Sequence, residues 1–100
     1  MVNEKYFLSK LFKIRRSETA IRQEFDCALV MLVQNHARGR PVSEIANELN
    51  EQRKLRVEML KHPYRLYLEL KEEAETAAPQ LVDSITALAD QVGDEIARYA

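Results

Sequence analysis

Two glycines and three prolines punctuate one hundred residues, and that scarcity governs what this chain can become. Tight turns draw on Gly for positive φ and on Pro for a preset φ. A chain with so few of either makes few turns, and few turns mean long elements. Where apolar residues also recur at three- and four-residue intervals, long elements are helices. The expectation is an all-α fold, a compact bundle of four to five helices in a single domain over residues 1–100. The length suits one domain, and an apolar fraction of 46% is ordinary for one.

Five helical segments follow from period and punctuation. The first runs from about Asn3, read as an N-cap, to Arg16. It sets Phe7, Leu8, Leu11, Phe12 and Ile14 on one face and Lys5, Lys10, Lys13 and Arg16 on the other. The second, Glu18 to about Ala37, begins at a Ser17 or Thr19 cap and carries Ile21, Phe25, Ala28, Leu29 and Leu32 as its main stripe. Cys27, Val30, Met31 and Val33 widen that stripe until the last half is apolar nearly all round. A helix of this kind has neighbours on more than one side, so the second segment is expected at the centre of the bundle. Gly39 and Pro41 then force a stop, and His36 and Arg38 suit the negative pole of the helix dipole.

The third segment takes Ser43 as its N-cap and turns Ile45, Ala46 and Leu49 inward. Residues 50–54 break the stripe, either as a turn or as an exposed stretch of helix, before Leu55, Val57, Met59 and Leu60 resume it. His62-Pro63 is read as its end. Tyr64, Leu66, Leu68 and Leu70 alternate as a strand would, yet Tyr67, Leu70, Ala74 and Ala77 make a helical stripe. Helix is favoured, because a lone strand has no sheet to join. Pro79 opens the last helix, where Leu81, Ile85, Leu88, Val92, Ile96 and Tyr99 form a narrow seam. Such a seam is expected to pair with a second copy in a homodimer; its alternative is packing within the chain. Gly93 inside this helix costs about 1 kcal/mol against alanine, which points to a close backbone contact there.

The net charge of −1 hides an asymmetry. Residues 1–62 hold twelve Lys and Arg against eight Asp and Glu, whereas residues 63–100 hold three against eight. The two halves either attract one another inside the fold or across a dimer, or the basic half binds a polyanion. Nothing in Met1–Lys5 has the form of a secretory leader, and the longest apolar run, Cys27 to Val33, is far below the ~18–20 residues that span a bilayer. A cytoplasmic protein is expected, with no membrane partner. The basic first helix, with Phe7, Leu11 and Phe12, could lie on an anionic surface. A helix packed on the domain with its lysines in water accounts for it better.

One stretch carries a motif. Arg40-Pro-Val-Ser-Glu-Ile-Ala-Asn-Glu-Leu-Asn50, preceded by an apolar helix and a Gly/Pro break, resembles the helix-turn-helix of DNA-binding proteins over residues 28–50. In that motif the small residue, here Ala46, admits the second helix, and Leu49 anchors it. Asn50 stands where Gly is usual, and Arg56 where a β-branched apolar residue is usual. The resemblance implies a dimeric DNA-binding regulator using residues 43–61, with Ser43, Gln52, Arg53, Lys54 and Arg56 offered to bases and phosphates.

Catalysis finds little support. His36 and His62 sit beside helix ends, where capping the dipole explains them, and Ser84 and Thr86 have no histidine nearby in sequence. Cys27 is expected in the core, inert. Glu69, Glu72, Glu73 and Glu75 lack the Glu-x-x-His pairs of a helical di-metal site and read as a solvated face. No cofactor or metal is expected. The favoured function is a small non-enzymatic regulator or adaptor that binds another protein through helical surfaces. Its candidate contacts are the basic face of Lys5, Lys10, Lys13 and Arg16 and the region of Tyr64, Arg65 and Tyr67.

Overall fold

The computed structural model describes residues 4–99, and nearly all of them are helical. Helix α1 spans Glu4–Ala37, α2 spans Val42–Ala77, a short 3-10 turn covers Pro79–Leu81, and α3 spans Val82–Tyr99. The described residues thus form three α-helices where the sequence reading placed four to five. The N-cap assigned to Asn3 lies outside the described residues.

Two expected breaks are absent, and each has a physical cause. Helix α1 runs straight through Ser17 and Thr19 because no Gly or Pro interrupts it and its core stripe never loses register. Phe7, Leu11, Ile14, Glu18, Ile21, Phe25, Ala28 and Leu32 follow one another at alternating four- and three-residue steps, and all are buried or half-buried. Glu18 disguises this heptad pattern, since a carboxylate at a core position reads as a boundary. Helix α2 likewise continues through residues 50–54 and through Pro63. Its inward stripe is Ile45, Leu49, Gln52, Arg56, Leu60, Pro63, Tyr67, Leu70 and Ala74. A proline in a helix interior forfeits a hydrogen bond and crowds the carbonyl four residues back, at a cost of about 3 kcal/mol. Here Pro63 is fully buried between Leu60 and Tyr67, themselves sealed from solvent, and that packing holds the helix together across it. Residues 64–70, ambiguous in sequence, are helix.

The two connections are short and well specified. Gly39 takes φ +95°; its N–H donates to the His36 carbonyl at 2.9 Å and the Arg40 N–H to that of Asn35 at 3.3 Å. This bond pair around a left-handed glycine is the Schellman helix stop, as Gly39 and Pro41 led one to expect. Helix α2 starts at Val42 with Pro41 in the cap position and no side-chain cap, so Ser43 lies in the first turn rather than at the N-cap. Arg40 reaches across the corner to Glu44 at 3.5 Å and to Glu48. The second connection turns at the buried Ala78 (φ −149°, ψ 63°), and Pro79 opens the 3-10 turn into α3.

The arrangement is up-down-up, with α2 in the middle. Helix α2 packs along both α1 and α3, which meet each other only slightly; the expectation that Glu18–Ala37 would be central is therefore corrected. The core runs from Phe7 and Ile14 on α1, through Leu60, Tyr67 and Leu70 on α2, to Ile85, Ala89 and Val92 on α3. Gly93 does make its close contact: a Cβ there would lie 3.0 Å from the Tyr64 ring.

Helix lengths decide the shape. At 1.5 Å per residue, α1 and α2 are each a little over 50 Å long and α3 about 27 Å. The third helix covers only half of the hairpin. The molecule measures 61 × 21 × 15 Å with a radius of gyration of 17.3 Å, against about 13 Å for a compact 100-residue domain. The hairpin end around the α1–α2 turn projects beyond α3.

Candidate functional site

A chain of ionic hydrogen bonds ties the three helices together at mid-length. Glu18 on α1 is 2% exposed. Its Oε2 accepts from the Tyr67 hydroxyl of α2 at 2.8 Å, and its Oε1 from Nη2 of Arg22 at 2.9 Å. The other guanidinium nitrogen of Arg22 donates to Glu95 of α3 at 2.7 Å, and Glu95 accepts from Arg56 of α2 at 2.7 Å. Arg15 adds an ion pair to Glu18 at 3.5 Å. Burial, and then the hydrogen bond to the Glu18 carboxylate, push the Tyr67 hydroxyl well above its ordinary pKa of 10.0. Burial alone would lower Arg22, but its bonds to Glu18 and Glu95 outweigh that and hold it more firmly charged. Tyr67 is held neutral and Arg22 charged, and both oxygens of Glu18 are engaged away from solvent. The network clamps helices; it presents no reactive group to a substrate.

The surface that stands open is the end of the hairpin. Beside the last turns of α3, a groove between α1 and α2 is lined by the apolar Phe25, Leu29, Leu32, Leu49, Val57 and Leu60 and by Asp26, Gln52, Arg53, Arg56, Glu95 and Tyr99. Around it, the run Cys27–Val33 is turned to solvent: Leu29 is 45% exposed, Val30 55%, Met31 64% and Val33 61%. Of that run only Leu32 is buried. Cys27 is exposed, contrary to its expected place in the core. Cys27 lies off the stripe of Phe25, Ala28 and Leu32 that faces α2, so no described helix covers it. Val42 on α2 extends the exposed apolar surface.

The residues singled out from sequence fall mostly elsewhere, and several have partners. Lys5, Lys10, Lys13 and Arg16 are exposed. Lys10 lies 5.6 Å from the centre of the Tyr6 ring, and Lys10 and Lys13 share a shallow hollow with Glu69 and Glu73 of α2. Tyr6 itself donates to Glu73 at 3.4 Å. The basic front and the acidic back therefore meet inside the fold, at this hollow and at Arg22–Glu95 and Arg56–Glu95. Arg65 is exposed and Tyr64 half-buried over Gly93, but Tyr67 is fully buried, so it offers no aromatic anchor to a partner. The apolar side of the first helix faces inward in part: Phe7 is buried and Leu11 half-buried on the core, whereas Leu8 and Phe12 are exposed.

The helix-turn-helix residues are not brought together as that motif requires. With α2 unbroken from Val42 to Ala77, no turn separates an anchoring helix from a reading helix. Ser43 is exposed at the hairpin corner. Arg56 is bound to Glu95, Lys54 lies 3.4 Å from Glu51, and Arg53 sits over the Tyr99 ring at 6.0 Å. Gln52 lies half-buried at the groove edge. Within the C-terminal seam, Ile85 and Val92 are sealed against the core, and Leu81, Leu88 and Ile96 pack on it. Tyr99 alone remains largely exposed. The seam is thus used within the chain, the alternative reading of its narrow stripe.

His36 and His62 are exposed and far apart along the hairpin, and Ser84 is exposed on α3. Thr86 donates to the Val82 carbonyl at 2.7 Å. Glu69, Glu72, Glu73 and Glu75 are all exposed. No described helix is long and apolar enough to cross a membrane. The chain matches no family model, no curated protein and no solved structure.

Proposed function

We propose that this chain is a small non-enzymatic regulator or adaptor that works by binding protein, and that its contact surface is the free end of the α1–α2 hairpin. One observation carries the reading: seven consecutive apolar residues, Cys27–Val33, occupy a helix end where all but Ala28 and Leu32 are exposed. Apolar patches of that kind, rimmed by polar residues, mark association surfaces. The groove beside the run supplies shape, since two antiparallel helices leave a furrow that a further helix can fill. The basic face of α1 and the Tyr64–Arg65 region are weaker candidates, because neither carries an unbroken apolar run and Tyr64 packs over Gly93.

A photo-crosslinking side chain placed at Val33 tests this reading in cell extract, with the same side chain at Ser84 as the control. Discrete protein adducts from Val33, absent from Ser84, are the expected outcome. Equal labelling from the two positions, or no adduct from Val33, refutes it.

A further inference from the structure

We infer that the outer flank of α1 rests on an anionic lipid surface, with Leu8 and Phe12 entering the headgroup layer and Lys5, Arg15 and Arg16 neutralising lipid charge. This contact is separate from the hairpin groove and stands or falls without it.

Exposure is the first argument. A helix packed with only its lysines in water would bury its apolar residues. Helix α1 turns Phe7 and Leu11 onto the core, yet Leu8 is 53% and Phe12 66% exposed. At 100° per residue, Lys5, Leu8, Phe12, Arg16 and Thr19 share a sector of about 80° on the side away from Phe7, and all five are exposed. Their exposure owes nothing to the open end of the hairpin. Helix α3 runs parallel to α1, and the Arg22–Glu95 bond puts Val82 roughly level with Ser9. Phe12 thus stands out where all three helices run side by side.

Charge is the second. From Lys5 to Gln23 every exposed charge is positive: Lys5, Lys10, Lys13, Arg15 and Arg16, along about 27 Å of helix. The one acid in that stretch, Glu18, is buried. Lys10 and Lys13 share their hollow with Glu69 and Glu73 of α2, and Arg15 is drawn to Glu18 at 3.5 Å with half its side chain still exposed. Lys5 and Arg16 have no ion pair among the described residues. Each cation held near an anionic bilayer strengthens attachment about fivefold. The exposed charges of α3 are Asp83, Asp90, Asp94 and Arg98, three acids against one cation, so an anionic surface attracts α1 and repels α3.

Shape is the third. The groove and the Lys10–Glu73 hollow both lie against α2, whereas this flank is the convex outer side of one helix. A globular partner would need a socket fitted to two side chains one turn apart, and a phosphate backbone offers Leu8 and Phe12 nothing apolar. A bilayer supplies charge at its headgroups and hydrocarbon just beneath them, with no preformed fit. Val30, also exposed, falls in the same sector farther along α1, which lets the helix lie flat. The one acid in that sector is Asp26, about 15 Å beyond Arg16.

Vesicle flotation with the full chain tests this. Phosphatidylcholine vesicles holding about 30% phosphatidylserine should carry the protein upward at about 0.1 M salt, pure phosphatidylcholine vesicles should not, and about 0.5 M salt should largely release it. Leu8→Ser/Phe12→Ser and Lys5→Glu/Arg16→Glu replace exposed side chains, so both variants should keep the helical circular dichroism of the wild type. Each should bind at least about 10-fold more weakly. The chain has no tryptophan, so Phe12→Trp provides a single reporter. Its emission should shift to the blue with the anionic vesicles, whereas that of Glu72→Trp, exposed on α2, should not. No flotation with anionic vesicles, equal flotation with pure phosphatidylcholine, or binding that the Leu8/Phe12 variant leaves intact each overturns the inference. Retention on duplex DNA without flotation, lost only in the charge variant, gives the flank to nucleic acid and overturns it too. Should a double variant unfold, the Phe12→Trp shift decides: its absence overturns the lipid contact.

Discussion

Tyr67→Phe isolates the bond on which the three-helix clamp depends. The Tyr67 ring is 0% exposed and Glu18 2%, and the substitution removes one oxygen without opening a cavity around the ring. What it removes is a 2.8 Å hydrogen bond to a carboxylate, and a bond to a charged group contributes about 1.5–3 kcal/mol. The Oε2 it abandons keeps only Arg15 at 3.5 Å, whose side chain is 53% exposed, and an ion pair so open to water compensates little. The expected loss is about 2 kcal/mol, a large share of the roughly 5–15 kcal/mol that holds a domain folded. Urea unfolding followed by circular dichroism, at one fixed protein concentration because association adds apparent stability, should show the midpoint falling by roughly 1–2 M with an unchanged slope. Glu18→Leu should cost more, since it strands the Tyr67 hydroxyl and loosens Arg22. The double variant should then be less damaging than the two losses combined, because the orphaned partner is gone as well. A Tyr67→Phe loss under about 0.5 kcal/mol, or strict additivity in the cycle, would refute the reasoning, for the bond would then be no better than its replacement by water.

Two further outcomes follow from the same structure. A tyrosine whose folded pKa is raised contributes stability that is whole below its ordinary value of 10.0 and is lost as pH climbs above it. The gap between wild type and Tyr67→Phe should therefore narrow as pH rises beyond about 10, and one of the four tyrosines should resist ionisation at 295 nm until the chain unfolds; four tyrosines titrating together near 10 would contradict this. Gly39→Ala meets no steric obstacle, since nothing lies within 4 Å of the added carbon, but it forces alanine to a φ of +95°, so it should cost about 1–2 kcal/mol from backbone strain alone; an unchanged urea midpoint would show that the Schellman turn does not fix that residue.

Fold class was legible in the sequence because it depends on period and punctuation. The helical stripes, the Gly39–Pro41 stop, the Pro79 start and the tight spot at Gly93 all appear where local rules place them. What misled was polar residues inside core stripes. Glu18, Gln52, Arg56 and Pro63 each occupy a position that faces another helix, and each reads locally as an interruption. Their partners, Tyr67 for Glu18 and Glu95 for Arg56, lie 49 and 39 residues away, beyond the reach of any local rule. The open end of the hairpin was missed for a different reason. The all-round apolarity of Cys27–Val33 predicts several neighbours, and the described helices supply only α2, on the Leu32 side. Whether those neighbours lie within the chain depends on where α3 ends along the hairpin, and that register is set by tertiary contacts.

The register of α3 also explains why this helix leaves the hairpin end uncovered. Sliding α3 one turn toward the hairpin tip would cover part of the groove and hide Leu29 and Val33. It would also carry Glu95 about 5.4 Å past both Arg22 and Arg56, breaking two bonds of 2.7 Å, stripping Arg56 and Glu95 of their ion pairs and leaving Arg22 with Glu18 alone. Removing one side of a desolvated pair costs roughly 3–5 kcal/mol, and these charges, 17–31% exposed, would incur a discounted but still substantial part of it. At the other end, the buried Ala78 and the turn at Pro79 leave no slack to lengthen the connection. Covering one or two aliphatic side chains recovers at most about 1.5–3 kcal/mol for each, and the slide would also pull Ile85 and Val92 from sites where they are completely sealed. The clamp at mid-length therefore outweighs burial at the tip, and the third helix leaves the apolar end uncovered.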